Sequence, residues 1–308
     1  MKIYHGIEAF KSVENAVITI GTFDGVHKGH QKIIKRLTQI AAANNGEVVL
    51  LTFFPHPRMV LHPDDHGISL LNTLDEKVDL LKKYGIQHLI VHQFTKEFSR
   101  LTSTEFVRDI LVNKLKAKHL VIGYDHHFGR NREGTIENLE EMAPIHHFEL
   151  EQISKQDIDH IAVSSTKIRN ALQIGDVALA NKYLGHNYSL RGEVVKGNSD
   201  GKKLGFPTAN IRMKETFKLI PANGVYVGFV NVNGENLKCM INIGNRPTFE
   251  HADWAIEAHL LDFDGDLYGK NLVVEFITRL RAEQKFESLE GLKTQLKEDK
   301  IQALKLLS

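Results

Sequence analysis

The sequence predicts an α/β domain built on a doubly wound parallel sheet, followed by a mainly β domain, a small antiparallel barrel closed by a C-terminal helix. Three observations predict it. The chain has 308 residues, about twice the size of a typical domain, so two cores are expected. The first half alternates short apolar runs with amphipathic stretches, as strands joined by helical crossovers do. From Tyr188 the texture changes to turn-separated strands without such crossovers.

In the first half, Ala16 to Gly21, Val48 to Phe53, His88 to His92 and His119 to Gly123 read as buried strands rich in Val, Ile and Leu. Between them, Gln31 to Asn44, Thr73 to Tyr84 and Thr104 to Lys116 carry apolar residues at helical spacing, with helix-start signals at Thr73 to Glu76 and Ser103 to Phe106. In the second half, the strands are Tyr188 to Lys196, Gly224 to Val232, Glu235 to Ile243, Trp254 to Asp262 and Leu272 to Leu280. Asn233-Gly234 marks a hairpin, and Ser288 to Leu307 reads as the closing helix. A helical pattern ends at Gly185, which sets the expected domains as 1–185 and 186–308.

Hydrophobic residues make up 42% and charged residues 25%, the balance of an ordinary globular protein. A formal net charge of +1 supplies no broad field for nucleic acid or an anionic membrane, so neither is an expected partner. The single cysteine, Cys239, forms no intramolecular disulfide. Without a signal-peptide run or a membrane-length apolar stretch, the expected location is the cytoplasm, as a monomer or weak homo-oligomer. Seventeen histidines raise the question of metal, but without a His-Glu-x-x-His or Cys-x-x-Cys pattern no zinc site is expected.

The first candidate site is Gly21-Thr22-Phe23-Asp24-Gly25-Val26-His27-Lys28-Gly29-His30, between the first buried strand and its helix. Ligands of open parallel sheets bind at such turns, where glycines admit a phosphate and amide donors of the helix start favour negative charge. His27 and His30, three apart, share a face if the helix has begun there, and could then grip one phosphate. No Walker pattern occurs in the chain, so γ-phosphate chemistry is not indicated here; histidines bridging an α-phosphate would instead stabilise the charge that builds as pyrophosphate leaves. The alternative is a glycine-rich turn with two solvent histidines. Further along, Ser164-Ser165-Thr166-Lys167-Ile168-Arg169 offers a capped helix start with hydroxyls and cations for a departing pyrophosphate, or an ordinary capped helix with solvated cations.

The second candidate site is Gly192 to Gly197 followed by Gly201-Lys202-Lys203-Leu204-Gly205-Phe206-Pro207-Thr208-Ala209-Asn210. Gly197 to Lys202 nearly imitates a Walker loop but fails in spacing. Closely spaced glycines still make an amide-lined concavity for ATP phosphates, and Thr208 and Asn210 offer neutral oxygens suited to magnesium. The alternative is a basic loop between strands. Glu257 and His259 fall on one face of a strand, where Glu257 is a surface carboxylate or a general base.

These strings carry a resemblance. The turn at 21–30 resembles the His-x-Gly-His signature of nucleotidylyltransferases, in the form found in bacterial bifunctional riboflavin kinase/FAD synthetases. Phe53-Phe54-Pro55-His56-Pro57, Gly123-Tyr124-Asp125 and 164–169 are similar to that family's later segments, in order. Gly205-Phe206-Pro207-Thr208-Ala209-Asn210 closely resembles the riboflavin kinase signature, with 221–226, 241–249, 257–263 and 281–286 also similar. The resemblance implies a Rossmann-like nucleotidylyltransferase domain and a kinase barrel. It implies riboflavin, ATP and FMN as substrates, FMN and FAD as products, and magnesium as the cation.

It implies catalytic roles for Glu257, His27 and His30, and phosphate or nucleotide contacts from Gly21, Phe23, Asp24, Gly25, Ser164, Ser165, Thr166, Arg169, Gly197, Lys202, Gly205, Thr208 and Asn210. Magnesium would meet Thr208 and Asn210, and flavin would meet Pro57, Asp125 and Arg281. One departure stands out: the family's Asp-Phe-x-Phe-Gly is here Asp125-His126-His127-Phe128-Gly129. A kinase with a weakened adenylylating half, or a flavin-binding regulator on the same scaffold, are the alternatives.

Overall fold

The computed structural model describes residues 1–63, 68–154, 163–197, 201, 204–247 and 252–308, in two compact units, Met1–Ser165 and Thr166–Ser308. The first unit holds a six-stranded sheet in the order β1-β4-β3-β2-β5-β6. Its strands are β1 (Lys2–His5), β2 (Ala16–Ile20), β3 (Glu47–Phe53), β4 (His88–His92), β5 (Ala117–Gly123) and β6 (Glu149–Ile153). Every neighbouring pair is parallel.

Alternate residues of the central strands feed opposite layers, which is why these runs are apolar throughout. Val17, Val48 and Leu50 pack with Ile33, Ile34 and Leu37 of α1 (Lys28–Ala43) and Leu81 of α3 (Leu74–Lys83). On the other face Ile18, Val49 and Leu51 pack with Phe106, Val107 and Leu111 and with Leu139 of α5 (Ile136–His146). A short α2 (Pro57–Leu61) follows β3.

The four expected strands are present, and β1 and β6 are additional. Both lie at sheet edges with mostly half-exposed or exposed residues, Glu149 and Glu151 among them, so neither carries the apolar run that marks a buried strand. Thr73 and Glu76 form a reciprocal capping box at the start of α3. The next helix starts one residue earlier than expected, because Thr102 and Glu105 cap each other's amides at 3.2 and 2.9 Å. It is α-helical over α4 (Ser103–Glu105) and winds as a π-helix over Phe106–Lys114.

The second unit opens with α6 (Ser165–Gln173) and α7 (Val177–Leu184), the latter ended by Gly185 in the left-handed region (φ 77°). A closed barrel follows in the order β10-β11-β8-β7-β12-β9. Its strands are β7 (Tyr188–Val195), β8 (Ala209–Arg212), β9 (Gly224–Val232), β10 (Glu235–Pro247), β11 (Ala252–Leu260) and β12 (Asn271–Arg281), with α8 (Leu289–Leu306) last. Asn233 and Gly234, both at positive φ, join β9 to β10 as the hairpin signal requires.

Fully buried Tyr188, Tyr226 and Phe276 pack together within the barrel unit, with the Tyr226 and Phe276 rings edge to face at 5.4 Å. The helical pair α6 and α7 packs with this barrel. Asn181 Nδ2 donates to Phe276 O at 2.7 Å, and Ala222 N donates to Leu172 O at 3.0 Å.

Candidate active sites

In the first sheet, the chain leaves β2 toward β3 and β4 on one side, while β5 and β6 occupy the other. The switch point therefore lies between the carboxyl ends of β2 and β5, where a parallel sheet opens a crevice. The turn after β2 and the Gly123-Tyr124-Asp125 end of β5 both stand there.

The turn after β2 is tightly wound. Phe23, Gly25 and Val26 take φ values of 47°, 84° and 38°. Such a conformation is unfavourable for a β-branched residue, and Val26 is held in it by complete burial and by Gln31 Nε2 donating to its carbonyl at 2.8 Å. Gly21 sits against the Phe23 ring, which a Cβ would approach to 3.1 Å.

His27 is the N-cap of α1, so the helix begins at Lys28, ahead of the expected Gln31. Its Nδ1 accepts from His30 N at 3.4 Å, which leaves Nε2 as the protonated ring nitrogen of the neutral form. The His27 and His30 rings stack, centroids 3.7 Å apart and planes 14° from parallel, with Phe23 against His30 at 4.7 Å. Gly29 permits this, since a Cβ there would come 3.2 Å from the His27 ring.

Burial first, then the charges of His27 and Lys77, hold the His30 imidazole well below the usual histidine range. His30 Nδ1 is buried and makes no hydrogen bond among the described residues. His30 is suited to meet an anion as a neutral donor.

Asp24 also anchors a distant loop. Its carboxylate, 2% exposed, accepts from Leu71 N at 3.0 and 3.2 Å and from Asn72 N at 3.3 Å, which fixes the loop before α3. Its backbone meets the second turn: the Ser165 hydroxyl donates to Asp24 O at 2.9 Å. Ser164 precedes the first turn of α6, Thr166 is exposed and Arg169 half-buried.

Pro57 opens α2, capped by His56 Nδ1 accepting from Arg58 N at 3.2 Å. Asp125 is exposed beyond β5. Beside it the His126 ring lies parallel to Phe128, centroids 6.0 Å apart and planes at 21°. Burial pushes its pKa down to about 4, so His126 presents a neutral aromatic ring where the family pattern has an aromatic.

In the barrel, register assembles the second site. Asn210 on β8 pairs with Glu257 on β11, and Glu257 pairs with Asn242 on β10, which puts the three side chains in one row on one face. Gly197 lies against Asn210, where a Cβ would fall 2.3 Å from the amide nitrogen. Gly201 closes on Phe206 O and Thr208, and Gly205 takes φ +83°. Lys202 lies outside the described residues. Asn242 lies within the 241–249 segment, where the sequence assigns it no role of its own. The signal that finds it is strand alternation combined with its pairing to Glu257.

His259, two residues along β11, meets Pro207 O through Nδ1 at 2.7 Å, and burial pushes its pKa down. His259 also lines a cleft of about 360 Å³, together with Phe206, Pro207, Leu260, Phe263 and Lys300. Arg281 Nε donates to both carboxylate oxygens of Asp299 at 3.0 Å, and its Nη2 to one of them at 2.8 Å, tying β12 to α8.

Comparison with known proteins agrees with both halves. A family model described as FAD synthetase matches residues 9–167, and one described as riboflavin kinase matches residues 184–307. A bifunctional riboflavin kinase/FMN adenylyltransferase of Listeria monocytogenes is 38% identical, over 92% of this chain and 90% of its own. The protein of the same description from Escherichia coli K12 is 35% identical over 98% and 97%. A crystal structure described as a macrolide-efflux protein from Streptococcus pneumoniae has a TM-score of 0.87 at 30% identity, covering 97% of both chains. Its description stays with that protein; among the described residues here, no helix is long and apolar enough to cross a membrane.

With both family models matched in order along one chain, and relatives of the same description aligned almost end to end, this protein belongs to the bifunctional riboflavin kinase/FMN adenylyltransferases.

Proposed function

We propose how the residues of this chain divide the two reactions, riboflavin to FMN and FMN to FAD. The observation that supports the proposal is that two polar clusters of different construction occur in separate compact units: the stacked His27/His30 pair after β2, and the Asn210–Glu257–Asn242 row of the barrel. The functional boundary is Gly185–His186, with 1–185 adenylylating and 186–308 phosphorylating. In support, Gly185 ends α7 and the riboflavin kinase match begins at residue 184.

In the barrel, Glu257 accepts the proton of the ribityl terminal hydroxyl while that oxygen attacks the γ-phosphorus of ATP and ADP leaves. Thr208 and Asn210 supply neutral hard oxygens beside a carboxylate, a donor set that fits magnesium. When bound, magnesium would offset phosphate charge. Gly197, Gly201, Lys202 and Gly205 line the phosphates. Arg281 shapes the flavin side through Asp299.

In the first unit, a phosphate oxygen of FMN attacks the α-phosphorus of a second ATP and pyrophosphate leaves. His27 and His30 donate to the α-phosphate as charge builds, with Gly21, Phe23, Gly25 and the backbone of Asp24 shaping the turn. Ser164, Ser165, Thr166 and Arg169 receive pyrophosphate, and Pro57, Asp125 and the neutral His126 ring contact flavin. A cytoplasmic monomer or weak homo-oligomer without nucleic-acid partners fits a net charge of +1 and a lone buried cysteine.

The test is chromatography of products from purified protein, riboflavin, ATP and magnesium. FMN should appear first and FAD should follow. FMN without FAD would overturn the roles given to His27 and His30, and no FMN those given to the barrel.

A further inference from the structure

Pairing between β8 and β11 runs Ile211–Ile256, Asn210–Glu257 and Ala209–Ala258, and stops there. Pro207, just ahead of β8, has no N–H with which to continue the ladder. Its carbonyl would be stranded at the ladder's end, but the His259 ring reaches it, Nδ1 to O at 2.7 Å. A carbonyl only accepts, so Nδ1 carries the hydrogen and the ring's tautomer is set. Phe206 packs edge-on against the same ring, centroids 5.2 Å apart and planes at 62°.

We infer that His259 is a positioning residue for riboflavin phosphorylation: its ring takes over where the strand ladder ends and fixes the backbone of Thr208 beside Asn210 and Glu257. The inference rests on the reading of Thr208 and Asn210 as the groups that meet magnesium and nucleotide phosphate. The glycine loop closes on the same turn from another side, since a Cβ on Gly201 would come 2.4 Å from Phe206 O and 3.5 Å from Thr208 Cγ2. His259 therefore completes a clamp around a short polar turn whose ends differ in character, a paired strand on one side and a proline on the other. Misplacement of such a turn weakens nucleotide and cation binding before it touches the flavin.

The test compares wild type, His259→Phe and His259→Gln as full chains in both reactions. Phenylalanine keeps the ring against Phe206 and removes the donor; glutamine restores an N–H. His259→Phe should raise the KM for ATP and the magnesium requirement of phosphorylation about tenfold. The KM for riboflavin and the conversion of added FMN to FAD should stay unchanged, and His259→Gln should recover most of the loss. Ring ¹⁵N shifts should show the Nδ1–H tautomer whether or not the enzyme turns over.

Wild-type dependence on ATP and magnesium in His259→Phe, an equal loss toward both substrates, or an Nε2–H tautomer would each overturn the role. A wild type that forms no FMN sinks the kinase reading and this role with it, and is told apart because the unmutated chain itself fails.

Discussion

Within the first unit, the Ser165 hydroxyl donates to the Asp24 carbonyl at 2.9 Å, and so ties Ser165 to the turn that carries His27 and His30. Neither group is charged, and a neutral hydrogen bond of this kind stabilises by about 0.5–1.5 kcal/mol net. Ser165→Ala should therefore lower FAD formation from added FMN by about three- to tenfold. Phosphorylation of riboflavin in the same preparation should be unaffected. Rates of the two reactions measured separately check this, and an equal loss in both would deny Ser165 a local role.

Separate cradles predict separable mutants. His30→Ala removes one ring of the stacked pair and should halt the sequence at FMN, with adenylylation down by about a hundredfold or more. Asn210→Ala should block phosphorylation yet leave added FMN convertible. Gly197→Ala should imitate Asn210→Ala, because its Cβ would sit 2.3 Å from the Asn210 amide nitrogen and push it from the row. Product chromatography with riboflavin or FMN as the starting flavin distinguishes the outcomes.

Histidine burial makes the first unit sensitive to acid. The His126 pKa is pushed from 6.5 to about 4, chiefly by burial, so between those values the folded chain binds fewer protons than the unfolded one. Stability attributable to His126 is thus full above about 6.5 and falls as pH drops toward about 4. His30 acts in the same direction. His126→Phe should flatten that slope by at most about 1.4 kcal/mol per pH unit. It should preserve FAD formation at neutral pH, because the ring stacked on Phe128 is already uncharged there. Denaturant unfolding at several pH values, followed by adenylylation assays, tests both parts.

What the sequence discloses follows from what each residue must do locally. β2 to β5 are legible because a strand covered on both faces is apolar at successive positions, as Val17 and Ile18 are. β1 and β6 are not, because edge strands tolerate polar residues. β8 is hidden because it begins at the end of the Gly-Phe-Pro-Thr-Ala-Asn string, is only four residues long, and becomes a strand by pairing with β7 and β11. The His27/His30 spacing is readable, but the stacking of the rings depends on His27 capping its own helix. The inward turn of Asp24 depends on amides of Leu71 and Asn72, far along the chain. Long-range partners of this kind leave no periodic trace.

Arg281 was expected at the flavin, and its ion pair with Asp299 gives that expectation a sharp test. The Asp299 side chain is 1% exposed and that of Arg281 16%, so the pair is largely removed from water. Gln295 Nε2 also donates to Asp299 at 3.0 Å. Removing only the guanidinium strands a buried carboxylate, a change that destabilises by about 3–5 kcal/mol. Arg281→Ala should lower the melting temperature of the barrel unit, and Arg281→Lys should do so partly, since an ammonium cannot reproduce the forked contact. Replacing both partners by Met and Leu should restore most of the stability, because no charge is then left buried alone. If instead Arg281→Ala melts like the wild type and only the KM for riboflavin rises, the guanidinium belongs to the flavin site and the Asp299 contact is incidental. Loss of stability with an unchanged riboflavin KM in the surviving fold assigns Arg281 to holding β12 against α8.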